Sequence, residues 1–90
     1  MKFSADIQIM PLPDLRDAQG EAVLTSLPRT GVAGAVKVRI GKNIVFTLEA
    51  DSEEKAREMV QLACEKLLTN TNTESFTFSI EPTTEESPEE

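Results

Sequence analysis

The chain has no tryptophan, no tyrosine and no histidine, and Cys64 is its one cysteine in 90 residues. Each absence excludes a class of chemistry. Without imidazole or a second thiol, a structural metal site would rest on carboxylates alone, a poor donor set, so no metal site is expected. A single thiol closes no disulfide within the chain. Nucleophilic catalysis requires a nucleophile with a base to activate it, and Cys64 stands inside a predicted helix with no histidine to serve it. It reads as a buried structural thiol, and no catalytic residue is expected. The carboxylate pairs Glu53-Glu54 and Glu85-Glu86 fall at a helix start and in the acidic tail. Helix-dipole pairing and solvation account for them there.

Positive charge is also scarce. Nine lysines and arginines against 16 acids leave a formal charge of -7, whereas phosphate contacts would require a basic face, so no nucleic-acid partner is expected. The four phenylalanines, Phe3, Phe46, Phe76 and Phe78, recur at strand periodicity and read as core rather than as stacking platforms. No apolar run reaches membrane-spanning length, so no membrane association is expected. The start, Met1 to Asp6, is broken by polar residues and makes no signal core. A cytoplasmic location with a reduced thiol is the expectation. No Walker loop or dinucleotide fingerprint occurs, and Gly31-Val32-Ala33-Gly34 reads as plain loop.

What is present is alternation. Phe3, Ala5, Ile7 and Ile9 alternate with polar residues as in a strand buried on one face. Asp14 or Asp17 can cap a short helix carrying Ala22, Val23 and Leu27, which Pro28 stops. Val36, Val38 and Ile40 predict a second strand, Gly41-Lys42-Asn43 a turn, and Ile44, Phe46, Leu48 and Ala50 a third strand closing a hairpin. Asp51-Ser52-Glu53-Glu54 opens a second helix whose buried stripe is predicted to be Ala56, Met59, Val60, Ala63 and Leu67. Phe76, Phe78 and Ile80 give a fourth strand.

This order, βαββαβ, predicts an α+β two-layer sandwich, ferredoxin-like or a relative of it, with a mainly antiparallel sheet and two helices on one face. A single domain over residues 1–81 is expected, followed by a disordered acidic tail over 82–90. A core this small is marginal by itself, which favours an oligomer. Val45, Thr47, Thr77 and Ser79 would then lie on an outer sheet face short of charge, a candidate oligomer face. The run Val38-Arg39-Ile40-Gly41-Lys42 places two cations about a glycine at the tip of the expected hairpin. Docking donors and mere solubilising charges are both consistent with it. Gly20, after Gln19, reads as a close-approach or turn glycine.

Four segments in order, Asp17 to Val23, Val38 to Lys42, Leu48 to Ala56 and Cys64 to Asn70, resemble PurS, the small subunit of bacterial phosphoribosylformylglycinamidine synthase. The resemblance runs from about Phe3 to Glu81, with Ala18 standing where the family usually has proline. It implies a role in de novo purine biosynthesis, in a complex that converts formylglycinamide ribonucleotide (FGAR) to formylglycinamidine ribonucleotide (FGAM) with ATP and glutamine. In that complex a synthetase subunit binds ATP and Mg, a glutaminase subunit releases ammonia, and the small subunit, a dimer or tetramer, bridges them without catalytic groups or a bound cofactor. Arg39, Gly41, Lys42, Gln19 and Gly20 become the candidate docking residues. A small-molecule-sensing regulatory domain, which shares the topology, is the alternative, and a large thermal shift from a free amino acid or nucleotide would favour it.

Overall fold

The computed structural model describes residues 1–84. Among these the elements are β1 (Lys2–Pro11), α1 (Ala18–Ser26), β2 (Lys42–Glu49), α2 (Glu53–Ala63) and β3 (Glu74–Pro82). A 3-10 turn over Leu27–Thr30 continues α1, and a π-helical turn over Cys64–Leu68 continues α2. The sheet is antiparallel throughout, in the order β2-β1-β3.

Register shows why the alternation works. Ala5 faces Phe46 on β2 and Ile80 on β3, and Ile7 faces Ile44 and Phe78, so each rung places apolar side chains on one surface. Helix α2 lies on that surface over β1 and β3. Phe3, Ala5, Ile7, Ile9, Ile80, Ala56, Val60 and Cys64 form the buried core. Each large side chain among them contributes about 1.5–3 kcal/mol by leaving water. Ser52 caps α2, its hydroxyl accepting from the Lys55 N–H at 3.1 Å, and Glu53 pairs with Arg57 at 3.1 Å on the solvent side.

Three expectations are corrected. The predicted second strand does not form: Val36–Ile40 run as irregular chain, with no turn or bend between Val32 and β2, so the described sheet has three strands. Gly41 makes no hairpin turn either: the chain has no turn or bend there, and among the described residues only Gly31 and Gly34 take positive φ, at 97° and 92°. A Cβ on Gly41 would strike Met10 Sδ and the Ile9 carbonyl, so glycine here permits close approach to the end of β1. Finally, the stripe buried along α2 and its π turn is Ala56, Val60 and Cys64, while Met59 is 41% exposed and Leu67 80% exposed. The wider π turn resets the helical phase, turning Leu68 inward in place of Leu67.

At its far end β3 reaches Pro82 opposite Phe3, the Thr83 N–H donates to the Lys2 carbonyl at 2.9 Å, and the Ala50 N–H donates to the Met1 carbonyl at 2.9 Å. Most of the expected acidic tail, residues 85–90, lies outside the described residues.

The first helix of the expected sandwich, α1, does not lie on the sheet. α1 packs on its own 3-10 turn and on no strand to any extent. Its Val23 is 40% exposed, and Val36 beyond it 89%. Residues 18–41 therefore form an arm projecting from the sheet. The radius of gyration is 16.5 Å, against about 12 Å for a compact chain of this length.

Candidate docking site

The arm is tied to the sheet where the loop after β1 meets the chain entering β2, and most of the candidate docking residues gather there. Asp17 caps α1: its Oδ1 accepts from the Gly20 N–H at 2.9 Å, and its Oδ2 accepts from the Ile40 N–H at 2.7 Å. One carboxylate thus joins the start of α1 to residues more than twenty positions on. The Ile40 N–H, then that of Gly20, with a smaller contribution from Arg39, hold the Asp17 carboxyl below its ordinary value against some desolvation. Gly20 is buried, and a Cβ there would strike the Val38 carbonyl. Only glycine lets the two segments come this close.

Arg39 is not at an exposed tip. Its guanidinium donates to the carbonyls of Leu12 at 2.7 Å, Leu15 at 3.0 Å and Pro11 at 3.3 Å. The planar fork of donors suits several main-chain acceptors at once, as a lysine ammonium would not. Arg39 is therefore a clamp on the loop after β1. Lys42, exposed, pairs with Glu74 at 3.3 Å. The Glu74 carboxyl is held below its ordinary value mainly by the Asn70 N–H, with Lys42 adding to it.

A cleft of about 370 Å³ opens beside this junction, lined by Arg16, Asp17, Gln19, Lys42 and Glu74 among others. It brings Gln19 and Lys42 together with Gly41, whereas Gly20 and Arg39 lie behind it as structural members. Sequence reasoning missed Arg16, Glu74 and the second role of Asp17. A helix cap is visible in sequence, but no local pattern shows that the same carboxylate also reaches Ile40.

The other candidate residues lie on the opposite side of the sheet. Asp6 stands opposite Val45 and Ser79, Ser4 opposite Thr47, and Gln8 opposite Thr77, so Val45, Thr47, Thr77 and Ser79 share the surface away from α2. Cys64 is fully buried, and burial, then Glu65, pushes its thiol up, leaving it poorly disposed to form a thiolate. Among the described residues no group of three or more His, Cys, Asp or Glu could hold a metal ion. No described helix is long and apolar enough to cross a membrane.

Sheet order and solved relatives assign the chain to the small α+β domains of ferredoxin-like fold. Within that class, the family "PurS: Phosphoribosylformylglycinamidine (FGAM) synthase" matches residues 4–82, and the chain belongs to it. The PurS subunit of Synechocystis sp. is 41% identical over 78 residues, 87% of this chain and 78% of that protein. The crystal structure of the Thermotoga maritima PurS subunit superposes with a TM-score of 0.84 at 33% identity, covering 90% of this chain and 93% of the other. A chain in the structure of PurLQS from Thermotoga maritima gives 0.83 at 32% identity, over 90% of this chain and 99% of that one.

Proposed function

We propose that the chain is the non-catalytic assembly subunit of FGAM synthase, self-associating and bridging a synthetase and a glutaminase subunit in the cytoplasm. In this reading the larger subunits hold ATP, Mg and glutamine, convert FGAR to FGAM, and supply every reacting group. The observation that carries it is the likeness to a chain of PurLQS, 99% of which is matched at a TM-score of 0.83. A subunit of that kind must offer fixed surface rather than reactive groups. The tied junction of Asp17, Gly20 and Arg39 supports this, since it holds the Gln19 and Lys42 side of the cleft on stiff backbone.

Co-purification with the synthetase and glutaminase subunits of the same organism, with glutamine and nucleotide present, tests the reading. A ternary complex is expected, and its absence overturns the assembly role. Gln19→Ala combined with Lys42→Ala should weaken that complex while leaving the fold intact, because both side chains are exposed. Undiminished assembly would remove the cleft from the docking surface.

A further inference from the structure

The chain leaves α2 with two adjacent leucines in contrasting states. From Ala56, Val60 and Cys64, an unbroken α-helix would carry Leu67, seven residues beyond Val60, onto the same inner face. The Thr69 N–H instead donates to the Cys64 carbonyl, five residues back, at 3.0 Å, which is the bond of a π turn. Leu68 is thereby turned against the core, and Leu67 is left largely exposed. Thr69 is drawn inside, where its hydroxyl finds no hydrogen-bond partner. A wide turn, a bare leucine and an orphaned hydroxyl thus meet at the end of one helix.

We propose that this segment is a two-register element: α2 can close its last turn in the ordinary α register, which exchanges Leu67 for Leu68 on the inner face. In that register the Cys64 carbonyl accepts from the Leu68 N–H, and the Thr69 N–H passes to the Glu65 carbonyl. One leucine replaces another, so the apolar area buried changes little. Thr69, five residues beyond Cys64, moves to the side of the helix away from the sheet, where its hydroxyl regains water. Relief of a buried, unpaired hydroxyl favours that register. The chain that follows favours the π register. There the Asn70 N–H donates to Glu74 Oε1 at 2.9 Å, and the Asn70 carbonyl accepts from the Thr73 and Glu74 N–H groups at 2.9 and 2.7 Å. Opposed demands of this kind are the condition for two states close in free energy.

The two registers differ at a distance from α2. Glu74 stands in the wall of the cleft with Gln19 and Lys42, its carboxylate holding both the Asn70 N–H and, at 3.3 Å, the Lys42 ammonium. The Thr73 carbonyl accepts from the Leu12 N–H at 2.9 Å, so the loop after β1 is tied to the same turn. Passage to the α register swings Asn70 round with the end of the helix and parts its N–H from Glu74. Lys42 is then the carboxylate's remaining partner, and that wall of the cleft loosens. α2 thus sets the shape of a cleft that none of residues 53–68 lines. The element belongs to the chain by itself and stands whether or not the cleft docks a partner.

NMR relaxation dispersion on the purified chain tests this, because helix register shifts fall in the microsecond to millisecond range. The amides of residues 64–74 should share one exchange process with a minor state of about 1–10%, while those of β1 stay flat. Flat profiles throughout overturn the proposal. Leu67→Ala removes the leucine that the second register would bury, and Thr69→Val removes the orphaned hydroxyl, so each should hold the π turn and suppress the dispersion. A static turn predicts no such response at the exposed Leu67, and dispersion undiminished by either change overturns the exchange. Leu68→Ala should invert the populations, bringing the Leu67 methyl groups into nuclear Overhauser contact with Val60. A folded Leu68→Ala chain with Leu67 still in water also overturns it.

Discussion

The body of the molecule and its arm obey different rules. In the body, β1 is bonded on both sides along its length and buries Phe3, Ala5, Ile7 and Ile9 under α2. There the fold rests on area removed from water, spread over many side chains. The arm has almost no core of its own, because Gly20 is the only residue of α1 that is buried. It is held at its root by directional polar contacts: the two hydrogen bonds accepted by Asp17 and the three donated by Arg39. A small family domain can therefore divide its work, with hydrophobic area securing one part and geometry orienting the other.

The largest effect should come from the body. Ile7→Ala removes a fully buried side chain from the central strand and should cost about 2–5 kcal/mol. Urea unfolding followed by circular dichroism measures this, and a loss under about 1 kcal/mol would show that the core tolerates voids unusually well.

At the root of the arm, Gly20→Ala places a methyl against the Val38 carbonyl and should cost about 1–3 kcal/mol by overpacking. Amide exchange separates the two regions: the Ile40 and Gly20 amides should exchange faster while those of β1 keep their protection. Uniform loosening of both would erase the distinction between body and arm.

The subtlest effect is in pH. Because the folded Asp17 carboxyl titrates below its ordinary value, the contact contributes fully above the unfolded carboxylate range, near pH 4. It is lost as pH falls through the depressed folded value. Glu74 shifts in the same direction. NMR should show the Ile40 amide unchanged from pH 7 to about 5 and moving only below about 4, the ordinary aspartate range. Movement near neutrality would mean that the carboxylate is not its partner.

Much of the body was legible in the sequence, because one-sided burial writes a period of two into β1 and β3 and a cap into Ser52. The arm was not, for identifiable reasons. Gly41 carries the same letter whether it bends the chain or admits Met10 and Ile9 to close range, and a turn is the commoner sense of that letter between two strand patterns. The acceptors of Arg39 are main-chain carbonyls 24 to 28 positions away, which leave no mark in composition or spacing, so sequence alone shows only an outward donor. A constant helical period places Leu67 in the core, and the π turn at Cys64–Leu68 interrupts that period. Of the candidate docking residues, Gln19, Gly41 and Lys42 border one cleft, and Gly20 and Arg39 hold it in shape.

The register of β1 with β3 has a mechanical consequence. Phe3 pairs with Pro82, so the start of the first strand and the end of the last lie side by side, at the end of the sheet away from the arm. Tension applied between those ends would open the β1–β3 ladder one rung at a time, like a zip, rather than load all its bonds together in shear. The domain should yield to pulling at low force while its arm-bearing end keeps its shape longest. By the same geometry, a tag or tether on either strand end would stand clear of the cleft.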